Sequence, residues 1–164
     1  MKISNTLRRS FFLAFSLVIV IGLLVSFFLG KSQDKSFLKD AQQYNEVLSA
    51  FQEGEYELSY EKSRELEIRQ GKSEILNYIN ALSYANTNNP EQAIKYFNHV
   101  LDLNPYKVED SMFMLQFAEL LIEAEQFDEA HIVLARCDNL PIPEIFPQYK
   151  ERVAQLWEQL SNQS

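Results

Sequence analysis

The chain has 164 residues, 46% of them apolar and 23% charged, with only four Gly and five Pro, a balance that suits long helices and disfavours disorder or a turn-rich all-β fold. Its net charge of −8 is uneven: residues 1–30 hold Lys2, Arg8 and Arg9 and no acid, leaving twelve bases against all 23 acids in the rest. So acidic a body, without a basic stripe, excludes a nucleic-acid partner, and the single cysteine, Cys137, excludes an internal disulfide framework.

Residues 11–29, FFLAFSLVIVIGLLVSFFL, run nineteen positions without a charge. A helix of that length spans roughly 29 Å at ~1.5 Å per residue, so the run predicts a single transmembrane anchor over 11–30, in contact with the lipid bilayer through 11–29. A cleaved signal peptide is the alternative. It wants an apolar core of about 7–15 residues followed by small residues, whereas VSFFLGKS puts Phe27 and Phe28 there. The short basic tail, 1–10, places the N-terminus in the cytoplasm and the body outside it, although Lys31, Lys35 and Lys39 follow the span. Residues 31–36, KSQDKS, read as a polar linker.

Beyond the linker the apolar spacing is helical throughout. Tyr44, Val47, Leu48 and Phe51 form one stripe, ended at Gly54. A second helix carries Tyr56, Tyr60, Leu66 and Ile68 and stops at Gly71. Ser73 caps a third, with Ile75, Tyr78, Ile79, Leu82 and Ala85 aligned. NTNN breaks it, Asn89 stands as the next N-cap and Pro90 at the first helical position. Asn104-Pro105 ends that fourth helix, because the residue before Pro is pushed out of helical geometry.

Small and aromatic residues pair along this hairpin: Ala81 with Tyr84, Ala93 with Phe97, closed by Pro105. Downstream, Ala118, Leu121, Ala130 and Leu134 take the same relative places, Ala130 lying 37 residues after Ala93, which implies a three-residue insertion. Upstream the equivalents are Val47, Ala50, Ser59 and Ser63. Residues 74–107 resemble the tetratricopeptide repeat, a helical hairpin of about 34 residues, although Asn77 and Asn80 stand where its large apolar residues usually lie. About three such hairpins over 37–141, near the minimum for a stable stack, predict an all-α solenoid. After NLPIPEIFP, residues 142–164 supply a capping helix at about 147–161, with Tyr149, Val153, Leu156, Trp157 and Leu160 on one face.

The resemblance implies a concave groove that binds a segment of another protein. Aligned groove positions are Tyr44, Leu48 and Phe51, then Ile75, Tyr78, Leu82 and Ala85, then Leu115, Glu119 and Ile122. The alternatives are that some of these are core, or that the C-terminal helix fills the groove. Tyr78 and Leu82 stand where a clamp for a terminal carboxylate would need polar groups, so an apolar or aromatic segment with basic ends is the expected partner. No catalytic constellation accompanies the repeats. His99 and His131 lack the convergent ligands of a metal site, Cys137 sits at a small buried repeat position, and no Gly-rich phosphate loop occurs. The reading is therefore a non-enzymatic, cofactor-free protein: a bacterial envelope adaptor or assembly factor, or alternatively a chaperone-like holder of translocated clients.

Overall fold

The computed structural model describes residues 5–163, with side chains from Phe15 onward apart from Ser16, Leu17 and Ser32. Helix α1 covers Asn5–Gln52, and α2 (Tyr56–Gln70), α3 (Glu74–Asn86), α4 (Pro90–Leu103), α5 (Ser111–Glu123), α6 (Phe127–Cys137) and α7 (Tyr149–Ser161) follow, with one 3₁₀ turn at Pro105–Glu109. Among the described residues there is no strand.

The chain divides into two units, Met1–Gln42 and Gln43–Ser164. In the first, residues 31–36, expected as a linker, are helical and lie within α1. Its apolar side chains, among them Val18, Leu23, Leu24, Phe27 and Phe28, are exposed. The span expected at 11–29 includes side chains outside the described residues (11–14, 16 and 17), and of the basic tail Lys2 lies outside them altogether. Among the described residues, no helix is long and apolar enough to cross a membrane.

The second unit is built on a repeat written into both side chains and backbone. The turns within the three hairpins, α1–α2, α3–α4 and α5–α6, each contain one left-handed residue, Gly54 at φ 78°, Asn88 at φ 57° and Glu125 at φ 58°. Asn88 lies 34 residues after Gly54 and Glu125 37 after Asn88. The same offsets relate three sets of buried residues: Val47, Ala81 and Ala118, then Ser59, Ala93 and Ala130, then Ser63, Phe97 and Leu134. The small member of each set lets paired helices approach closely and the larger one fills the space beside it. Extra length between the last two units is taken up by the 3₁₀ turn after α4.

Capping follows the sequence with one exception. Ser73 Oγ accepts from the Leu76 N–H at 3.3 Å, and Asp110 Oδ1 accepts from Met112 and Phe113 N–H at 3.1 Å each. Asn89, expected to cap α4, instead turns back and donates to the Thr87 carbonyl at 2.9 Å. Pro90 still begins α4, and Asn104, at φ −140°, ends it.

Two apolar clusters result. The larger runs from Ala81 to Leu160 and joins α3 through α7. The smaller comprises Val47, Leu66, Leu76 and Ile79, with Tyr44, Leu48 and Phe51 packed against it. Of the apolar residues that α2 carries, Ile68 is 86% exposed; α2 faces inward with Ser59, Ser63 and Leu66. Helix α7 buries Tyr149, Val153, Leu156 and Leu160 against the last hairpin, as a capping helix should.

Candidate protein-binding cleft

Helices α3 and α5 are the first helices of consecutive hairpins, and a cleft of about 280 Å³ opens between them. Leu82 and Ala85, backed by the buried Phe97 and Leu120, give it an apolar floor, while Asn86, Gln116, Glu119 and Glu123 give it a polar rim with no base among the lining residues. The floor exists because Phe97 of α4 reaches between the two helices, stacked on Phe117 with ring centroids 5.1 Å apart and tilted against Phe113 at 5.0 Å.

Tyr78 marks one end of this cleft. Its ring packs on Phe97 and Phe113 at 5.9 and 5.4 Å, and its hydroxyl donates to Gln116 Oε1 on α5. Burial, with the Asp110 charge nearby, pushes its pKa up to about 12. Lys107 Nζ lies 5.5 Å from the Tyr78 ring centroid, yet it is already committed to Asp110 at 2.9 Å and Glu74 at 3.4 Å. Burial would lower the Lys107 pKa, but these carboxylates outweigh it and raise the value. This base beside the cleft is thus neutralised within the fold, which leaves little to hold a partner's carboxylate.

Helix α7 also meets the rim, at Glu119. Arg152 Nε bonds Glu119 Oε1 at 2.6 Å. Lys150 donates to the Asp138 carbonyl at 2.6 Å and Tyr149 Oη to the Cys137 carbonyl at 3.1 Å, so α7 caps the last carbonyls of α6.

The residues expected to form the groove are therefore distributed as follows. Leu82, Ala85 and Glu119 line the cleft and Tyr78 borders it. Ile75 is 58% exposed, outside the cleft lining. Tyr44, Leu48 and Phe51 are half-buried on the smaller cluster, Phe51 edge-on to Tyr56 at 5.6 Å. Leu115 and Ile122 are core, 2% and 3% exposed. The reason is that α5 is packed by α4, α6 and α7 at once, so its free face narrows to Gln116, Glu119 and Glu123, with the buried Leu120 beneath them. That i, i+3, i+4, i+7 spacing was the available signal for Gln116, Leu120 and Glu123; Phe97, on a second helix, had none beyond its repeat position.

Elsewhere, a shallow cleft of about 650 Å³ on the other side of α4 is lined by residues including Glu67, Tyr96, His99 and Asp102. No cluster of three metal-ligating side chains occurs among the described residues. Cys137 is fully buried, and that burial raises its thiol pKa, the opposite of what a nucleophile requires.

Neither family models nor curated protein sequences give a match to the chain. Solved structures do. The TPR2B domain of yeast Sti1, in its complex with pHsp70, aligns at a TM-score of 0.62 and 16% identity, over 77% of this chain and 99% of that one. The Yersinia enterocolitica type III secretion chaperone SycD, in complex with a peptide of the translocator YopD, aligns at 0.57 and 17% identity, over 74% and 89% of the two chains. A second SycD structure gives 0.58 and 17%, over 74% and 81%. The shared property is the tetratricopeptide-like helical fold.

Proposed function

We propose that this chain is a membrane-tethered, non-catalytic adaptor that holds a segment of another protein in the cleft between α3 and α5. The observation that carries the reading is the cleft itself: an apolar floor of Leu82 and Ala85 backed by the buried Phe97 and Leu120, rimmed by Glu119 and Glu123. Such a surface favours a segment with an apolar or aromatic anchor flanked by Lys or Arg. The complexes of Sti1 TPR2B with pHsp70 and of SycD with a YopD peptide support it, since this fold holds a protein partner in both.

The tether is the uncharged run at 11–29, whose described apolar side chains are exposed. Lys2, Arg8 and Arg9 favour a cytoplasmic N-terminus, which places the helical domain on the far side of a bacterial cell membrane. Leu23→Arg with Leu24→Arg should release the protein from alkaline-washed membranes; retention of the double variant would refute the tether.

A photoreactive residue at Asn86, on the rim, tests the cleft in intact membranes. One dominant adduct, lost in the Ala85→Arg variant, is the expected result. Many unrelated adducts would favour a chaperone-like holder of clients, a reading that the likeness to the secretion chaperone SycD also supports. Adducts that survive Ala85→Arg unchanged would move the interface away from the cleft.

A further inference from the structure

We infer that the helical stack opens along the seam between α2 and α3, so that the first hairpin is released as a unit while α3 to α7 stay folded. The seam is where this fold breaks its own packing rule. Ser59 and Ser63 of α2 and Asn77, Asn80 and Ser83 of α3 are all buried, at 0 to 1% exposure. Each occupies a position that a close-packed apolar interface would fill with carbon.

Their hydrogen bonds tie the two helices together only at the turn that joins them. Ser59 Oγ donates to the Val47 carbonyl at 3.1 Å and Ser63 Oγ to the Tyr60 carbonyl, within α2, at 2.8 Å. Asn77 Nδ2 donates to the Gly71 and Ser73 carbonyls, in the turn before its own helix, at 2.8 Å each. Asn77 Oδ1, Asn80 Oδ1 and Ser83 Oγ find no hydrogen-bond partner among the described residues. A buried polar atom without a partner costs free energy that opening to water returns. These groups sit at i, i+3 and i+6 on one stripe of α3, so a single separation hydrates all of them.

The apolar contact that crosses the seam is the smaller of the two clusters. Val47 and Leu66 meet Leu76 and Ile79 in the small cluster, whereas the large cluster begins at Ala81 on the other side of α3. A ladder of rings adds to that cluster across the seam: Tyr60 stacks on Tyr84 at 4.7 Å and Tyr84 on Tyr96 at 5.5 Å, with Tyr96 Oη bonded to Glu67 of α2 at 2.9 Å. Stacked tyrosines at a partly exposed edge, with the small cluster, hold the hairpin closed. Opening presents Leu76 and Ile79 of α3 to solvent and leaves the α3–α5 cleft intact.

Native-state hydrogen exchange on the full chain in mild detergent tests this. Amides of α2 should exchange about a hundredfold faster than those of α5, and by an opening that depends only weakly on denaturant. Ser83→Ala, which removes a partnerless hydroxyl without adding volume, should raise α2 protection about tenfold and leave α5 unchanged. Tyr60→Ala should lower α2 protection alone. Equal protection of α2 and α5 in the unaltered protein would overturn the inference, as would a Ser83→Ala effect of equal size in both helices.

Discussion

Arg152 of α7 places its guanidinium against the rim of the α3–α5 cleft, its Nε 2.6 Å from Glu119 of α5. The capping helix thus neutralises one of two rim carboxylates. Both side chains stay over a third exposed, at 40% and 35%, so the pair is screened and contributes roughly 0.2–1 kcal/mol. Arg152→Gln should lower the urea midpoint only slightly while leaving Glu119 uncompensated. A segment with basic ends would then associate faster at low salt, with a steeper salt dependence. Slower association of such a segment would show that Arg152 helps to form the site instead of masking it.

Ala93 is fully buried where α4 crosses α3. Ala93→Leu would force carbon into a closed contact beside Phe97 and should cost about 1–3 kcal/mol. Ala135→Leu, at an exposed position on α6, serves as the control and should move stability by less than about 0.5 kcal/mol. Equal melting temperatures for the two variants would contradict the close approach on which the repeat rests.

What was legible in the sequence was local. Ala93, Phe97, Ala130 and Leu134 announce the helical hairpins because their burial depends on spacing within one unit, and Gly54 and Asn104-Pro105 announce helix ends because backbone sterics act over one or two residues. The free face of α5 was not legible. Leu115 and Ile122 are covered because α7, separated by a loop of irregular length, returns to pack on α5, and no repeat register encodes that return. Asn77 and Asn80 were visible as departures from the repeat, but only the absence of partners for their carbonyls makes them a seam.

Tyrosine ionisation sets an alkaline limit on the fold. Tyr78 titrates at about 12, raised by burial and by Asp110, and burial likewise raises Tyr84, Tyr96 and Tyr149. A raised folded pKa means that the native state holds the proton more tightly than the unfolded chain. The resulting stability is fully present below the unfolded value of about 10 and is lost as pH rises through the folded one. Urea midpoints should therefore be flat from pH 8 to about 9.5 and fall steadily between about 10 and 12. Tyr78→Phe should make that fall shallower. A midpoint independent of pH up to 12 would mean that these hydroxyls ionise freely in the native state.

Cys137 provides a chemical clock for the same packing. The thiol is fully buried at the end of α6, under a backbone carbonyl that Tyr149 and Lys150 of α7 both engage. Burial raises its pKa, so little thiolate forms at neutral pH and reagent must await an opening of α7. Alkylation at pH 7.5 should run at least about a hundredfold slower in the native protein than in urea. Tyr149→Phe, which removes one of the two bonds that α7 makes to the Cys137 carbonyl, should speed the native reaction several-fold with little change in the reaction in urea. A native rate equal to the unfolded one would expose the thiol to solvent and reopen a reactive role for it. A slow native rate that Tyr149→Phe leaves untouched would mean that undocking of α7 does not gate the reaction.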